Sequence, residues 1–147
     1  LQILFSSHIM NIRTTERENT IMKETILYYT PQSFSHTARL KGALVTLGIR
    51  IKNISPGQVT QKVGYLAGMD GYQEQPVTEP LPILDQEMLV MHQFSSRRID
   101  ALLQALRKAG VPRIALKAIV TESNCDWTFY ELYEELKKEH EAMSGQS

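Results

Sequence analysis

Apolar and polar positions along the chain fall into blocks that switch from a strand period to a helix period four times. Residues 25–30, TILYYT, are β-branched and aromatic and stop at Pro31, which predicts a first strand. Leu40, Ala43, Leu44 and Leu47 then recur at i, i+3, i+4 and i+7. With Ser33 and Ser35 as N-cap candidates and Gly48 at the C-terminal turn, they predict a helix. Residues 49–54 alternate apolar with polar, as a half-exposed edge strand does. Ser55-Pro56 opens a second helical stripe, Val59, Val63, Leu66 and Ala67, ended by Gly68. Residues 87–94 form a nearly continuous apolar strand of the kind found at a sheet centre. The stripe Ile99, Leu102, Leu103, Leu106, capped by Ser95 or Ser96, is closed by Gly110 and Pro112. Residues 114–120 predict the fourth strand. Residues 127–143 predict the last helix, with Thr128 and Glu131 as a capping box and Trp127 with Leu132 as its staple.

Four successive βα units predict an α/β fold: a four-stranded parallel sheet in the order 2-1-3-4, a flavodoxin-like or receiver-like half with helices on both faces. The most polar strand is then an edge and the most apolar one central. In such a sheet ligands bind at the carboxyl ends of the strands, where the order reverses. Residues 69–85 interrupt the rhythm with Gly71, Pro76, Pro80 and Pro82, and carry acidic Asp70, Glu74, Glu79 and Asp85 with no basic residue. A loop of this length is expected to work as a lid. Residues 1–21 are expected to be a disordered or non-native extension, with Met22 the natural start and residues 22–147 a single α/β domain.

Composition narrows the classes. Of 147 residues 42% are apolar, and 16 Lys+Arg balance 16 Asp+Glu. The apolar run 88–91 is far shorter than the ~18 residues that span a bilayer, so no membrane contact is expected. Zero net charge removes the global argument for nucleic acid. A single cysteine excludes an internal disulfide and, with four histidines, favours neither a metal nor a cofactor site; a reducing cytoplasm fits it. Locally, Arg97, Arg98, Arg107, Lys108, Arg113 and Lys117 oppose only Asp100, while the last helix carries Glu131, Glu134, Glu135, Glu139 and Glu141 against Lys137 and Lys138. Such complementary patches suggest internal pairing or a homodimer.

The residues at the ends of strands one, three and four are polar. No glycine-rich nucleotide fingerprint occurs, and Thr30 and Gln93 stand where a receiver domain needs acidic residues. Ser33 belongs to a hydroxyl-rich run ahead of a helix, which suits either capping or a phosphate cradle. Lys117 is a cation inside an apolar strand and reads as an edge-strand guard or a ligand clamp. Thr121 and Asn124 form turn chemistry or ligand contacts, and Trp127 a staple or a stacking wall. Cys125 near a helix start lacks an obvious catalytic partner.

Glu87-Met88-Leu89-Val90, Arg107-Lys108-Ala109-Gly110, the run from Leu116 to Thr121, Asn124, Trp127 and the segment from Glu131 to Leu136 resemble the small bacterial proteins grouped as domain of unknown function 3783. The likeness is strongest over residues 87–141 and extends more loosely back to Met22. Lys117, Thr121, Asn124 and Trp127 fall on its K-A-x-x-T strand end and the Asn and Trp that follow. The resemblance implies that Lys117 and Thr121 matter beyond folding, and it implies no reaction. The expected function is a non-catalytic binding or regulatory module holding a small anionic ligand or peptide in a crevice of Ser33, Gln93, Lys117, Thr121, Asn124 and Trp127. The alternatives are an enzyme on a phosphorylated or carboxylated metabolite with Lys117 as electrostatic clamp, and a structural, self-associating protein.

Overall fold

The computed structural model describes residues 24–77 and 79–144, so the extension predicted over 1–21 and the start at Met22 lie outside the described residues. In chain order the elements are β1 (Thr25–Tyr29), α1 (Thr37–Thr46), β2 (Arg50–Asn53), a 3₁₀ turn (Pro56–Gln58), α2 (Val63–Leu66), β3 (Met88–His92), α3 (Ser96–Lys108), β4 (Leu116–Ile119), a second 3₁₀ turn (Asn124–Asp126) and α4 (Phe129–Ser144).

The strands form one sheet in the predicted order β2-β1-β3-β4. The sheet is mixed, which corrects the all-parallel expectation. β1 runs parallel to β2 and β3 parallel to β4, but β1 and β3 are antiparallel. The loop after α2 causes the reversal. It leaves beside the end of β4, where the Tyr72 hydroxyl donates to Asp126 Oδ1 at 2.5 Å. It passes Gln61, whose side chain bonds both polar groups of the Gln75 backbone, at 2.7 and 2.8 Å. It then reaches the finishing end of β1, where the Tyr29 hydroxyl donates to the Leu84 carbonyl at 2.7 Å. Having crossed the sheet face, the chain must enter β3 in the direction opposite to β1.

Alternation along the strands divides the core in two. Ile26, Tyr28, Leu89 and Met91 pack with Leu40 and Leu44 of α1 and Leu102 and Leu106 of α3. Leu27, Tyr29, Met88 and Val90 pack on the other face with Val63 and Leu66 of α2 and Phe129, Leu132 and Leu136 of α4. Helices therefore cover both faces, as predicted. Local signals explain several helix ends. The Ser95 hydroxyl accepts from Arg98 N and starts α3. Thr128 and Glu131 exchange backbone bonds of 2.8 and 3.0 Å ahead of α4. Ser33 and Ser35 cap nothing; the N-cap of α1 is His36, whose side chain does not bond the helix N-terminus. The second helical stripe is only partly helical, a 3₁₀ turn followed by the single turn of α2.

The two halves of the chain repeat one another about an axis between β1 and β3. Thr25 pairs with Arg50 and Leu27 with Lys52 in the first half, as Met88 pairs with Leu116 and Val90 with Ala118 in the second. Ile49 N bonds the Leu44 carbonyl and Val111 N the Leu106 carbonyl. Ile54 N bonds Tyr28 O, and Val120 N bonds Met91 O. After each edge strand a hydroxyl residue and an amide residue close the turn, Ser55 with Gln58 and Thr121 with Asn124. On the axis the halves bond reciprocally, Val63 N to Trp127 O at 2.8 Å and Phe129 N to Gln61 O at 2.9 Å, beside a Lys62–Thr128 bridge. This is the isologous pattern of a two-fold dimer, written within one chain.

Leu27, fully buried on the axis strand, leaves a cavity when shortened. Leu27→Ala should lower the unfolding free energy by about 2–5 kcal/mol. Val45→Ala, at a position 74% exposed, should stay within about 0.5 kcal/mol of the parent; urea denaturation of both variants checks the contrast.

Candidate functional site

The antiparallel centre of the sheet separates the residues expected to share one crevice. Gln93, Thr121 and Asn124 lie where β3 and β4 finish, whereas Ser33 follows β1 at the opposite end. Thr121 and Asn124 are buried and satisfy each other: Thr121 N donates to Asn124 Oδ1 at 2.8 Å, Asn124 N to Thr121 Oγ1 at 2.9 Å, and Asn124 Nδ2 to the Ile119 carbonyl at 2.9 Å. Gln93 has φ 68°, a left-handed conformation that a residue with a Cβ rarely adopts. Trp127 is half-buried against the core on the α2/α4 face, its carbonyl engaged on the axis. Lys117, paired with Leu89, points to the α1/α3 face. Its ammonium donates to the Ile114 carbonyl before β4, turned away from Thr121 and toward the end that carries Ser33. Burial, and then the Arg113 charge, pushes its pKa down. The lid expected over residues 69–85 has no such crevice to close; the loop is clasped across the α2/α4 face instead.

At the Ser33 end the structure assembles a cluster that single-residue reasoning missed. Glu87, directly before β3, accepts from the Tyr28 hydroxyl and contacts His36 Nε2 at 2.9 and 3.2 Å through its two oxygens. The Phe34 ring stacks on that imidazole at 5.1 Å. Burial, reinforced by the Glu87 carboxylate, pushes the Tyr28 hydroxyl far above its ordinary pKa. At the other end Glu24, directly before β1, holds Arg98 through bonds of 2.7 and 2.8 Å, and Arg98 also reaches the Leu47 carbonyl at 2.7 Å. His36 stands four residues before Leu40 and Arg98 four before Leu102, so the two pairs occupy equivalent positions. Each joins a helix of one half to the strand entrance of the other. The equivalence reads Glu87–His36 as a strut between halves. The signal in the sequence was a glutamate immediately ahead of each central strand.

Two further groups sit on the α2/α4 side. The His92 ring is half-buried and makes no hydrogen bond among the described residues; desolvation, aided by the Lys52 charge, pulls its pKa down to about 4. Tyr133 donates to Asp85 Oδ1 at 2.5 Å, and burial together with that bond pushes its pKa up to about 12. Cys125 is buried, with the Tyr72 hydroxyl 3.0 Å from its sulfur.

The sheet also separates the charged patches. The cations of α3 lie on one face and the carboxylates of α4 on the other, which corrects the expectation of internal pairing. Ion pairs among the described residues include Arg98–Glu24 and Lys138–Glu135, and His36 Nε2 lies 2.9 Å from Glu87. Arg39 of α1 reaches across to the Gly110 carbonyl at 3.3 Å, bringing the start of α1 to the end of α3. Arg39, Arg107, Lys108 and Arg113 are all exposed there.

Folded His92 stays neutral down to about pH 4, while in the unfolded chain it binds a proton near its ordinary 6.5. The unfolded state then holds more protons, so stability falls as pH drops through that window. His92→Gln should flatten this part of the stability–pH curve relative to the parent, measured by urea titration at successive pH values; an identical slope in the two proteins would contradict it. Asn124→Ala, which strands the Thr121 and Ile119 backbone groups, should cost about 1–3 kcal/mol in the same assay at neutral pH.

No curated protein and no solved structure matches the chain. Residues 87–143, which comprise β3, α3, β4 and nearly all of α4, the second of the two repeating halves, match the model of the family described as Domain of unknown function (DUF3783).

Proposed function

We propose that the protein is a non-catalytic binding module that holds an acidic peptide segment on the corner where α1 begins and α3 ends. One observation carries this reading: Arg39, Arg107, Lys108 and Arg113 are exposed together, and none of them is ion-paired among the described residues. Glu87, at the same end of the sheet, is already committed to His36 and Tyr28. Ser33 and Ser35 are exposed and make no hydrogen bond among the described residues, which leaves two hydroxyl donors beside the cations. The buried Lys117 ammonium adds positive charge beneath the same corner. Long cations on an open surface suit an extended anionic chain, whose successive carboxylates each find a partner.

Single exposed charge contacts contribute about 0.2–1 kcal/mol each, so affinity rests on several at once. A fluorescein-labelled peptide of alternating Asp and Gly, titrated at low ionic strength and read by anisotropy, should bind the parent and weaken steeply with added salt. Arg107→Glu/Arg113→Glu should weaken binding about tenfold or more, with the circular dichroism spectrum unchanged. Equal binding by parent and double variant, or no binding by either, would refute the reading.

A further inference from the structure

The repeat between halves breaks down at one corner, and the residues there change character with it. In the second half α4 runs on from Leu132 to Ser144 and covers the sheet over Met88, Leu116 and Ala118, which are fully buried. In the first half the matching helix α2 stops at Leu66, and Gly68 turns the chain away with φ 81°. The sheet positions equivalent to Met88, Leu116 and Ala118 are Thr25, Arg50 and Lys52, and the position equivalent to Tyr29 is His92. Three apolar side chains under a helix are thus replaced by a hydroxyl and two cations where the helix is missing.

The register defines the geometry of this corner. Thr25 lies between Arg50 on β2 and His92 on β3, all on the α2/α4 face with Leu27. Neighbouring strands are about 4.8 Å apart, so the backbones of Arg50 and His92 stand about 10 Å apart across Thr25. Lys52, one side-chain step along β2, donates to the Leu66 carbonyl at 2.9 Å, which fixes its ammonium at the end of α2. Arg50 is exposed and unpaired among the described residues. Glu24, the carboxylate next to Thr25 in sequence, turns to the other face to hold Arg98. The His92 ring has no protein hydrogen-bond partner among the described residues although it is half-buried.

We propose that this corner binds a phosphate-like oxyanion, held by the Arg50 guanidinium, the Lys52 ammonium and a ring N–H of His92. The donors come from three different backbone positions on two strands, which suits a tetrahedral group with at least three acceptor oxygens better than a planar carboxylate with two. The corner lies on the opposite face and at the opposite end from the α1/α3 surface, so either can fail without the other.

The test uses the full chain. Inorganic phosphate is titrated at constant ionic strength with chloride as the filler, and amide and imidazole resonances are followed by NMR. Saturable shifts at Thr25, Arg50 and His92 are expected, with a rise in melting temperature. Arg50→Ala, at an exposed position, should weaken phosphate binding at least tenfold, and Arg113→Ala should leave it unchanged. Acetate at equal concentration should produce no saturation. The proposal is overturned by shifts that never saturate, by acetate binding as well as phosphate, or by shifts confined to residues around Ser33 and Arg39.

Discussion

The antiparallel pairing of β1 with β3 is the constraint from which the rest of the structure follows. Five residue pairs, from Thr25 with His92 to Tyr29 with Met88, set it, and Leu27 opposite Val90 is its midpoint. Because the two strands run in opposite directions, every group that follows a strand in one half is carried to the far end from its counterpart. Polar residues that would gather on one rim of a parallel sheet are divided between two rims. Each rim then solves its own polar accounting with local partners: a hydroxyl and an amide closing the turn, and a glutamate at the strand entrance meeting a helix of the other half.

Those crossed pairs are also where the halves differ chemically. Arg98 grips Glu24 with a planar fork and a further carbonyl bond, whereas His36 meets Glu87 through a single nitrogen and shares it with Tyr28. A guanidinium offers several donors in a rigid planar fork, while an imidazole presents two ring nitrogens on opposite sides. The two struts are equivalent in place and unequal in character. The same inequality runs through the sheet, where Lys52 stands opposite the role of Ala118 and Thr25 opposite that of Met88.

Much of the architecture was legible in the sequence because it rests on local periodicity. The element order, the strand order, the edge position of β2, the capping box at Thr128 and the closure of helices at Gly48 and Gly110 all follow from patterns a few residues long. Strand direction did not, because it depends on how residues 69–87 travel, and a loop fixed by Gln61–Gln75 and Tyr29–Leu84 contacts has no period to read. The same gap hid the site geometry. Lys117 and Thr121 share a period-two face, yet the lysine bonds back to Ile114, a choice made by burial and carbonyl supply. The repeat between halves escaped notice because equivalent positions keep their roles and not their identities: Ser55 and Gln58 against Thr121 and Asn124, or His36 against Arg98.

Joining the two halves through one loop has a kinetic and concentration-related consequence. Surfaces that bond reciprocally across an axis would, on separate chains, have to find each other by diffusion, and their union would weaken on dilution. Tethered by the segment that leaves α2 and enters β3, each half sees the other at an effective concentration on the order of millimolar. The assembly therefore forms as a first-order event, equally complete in dilute and in concentrated solution.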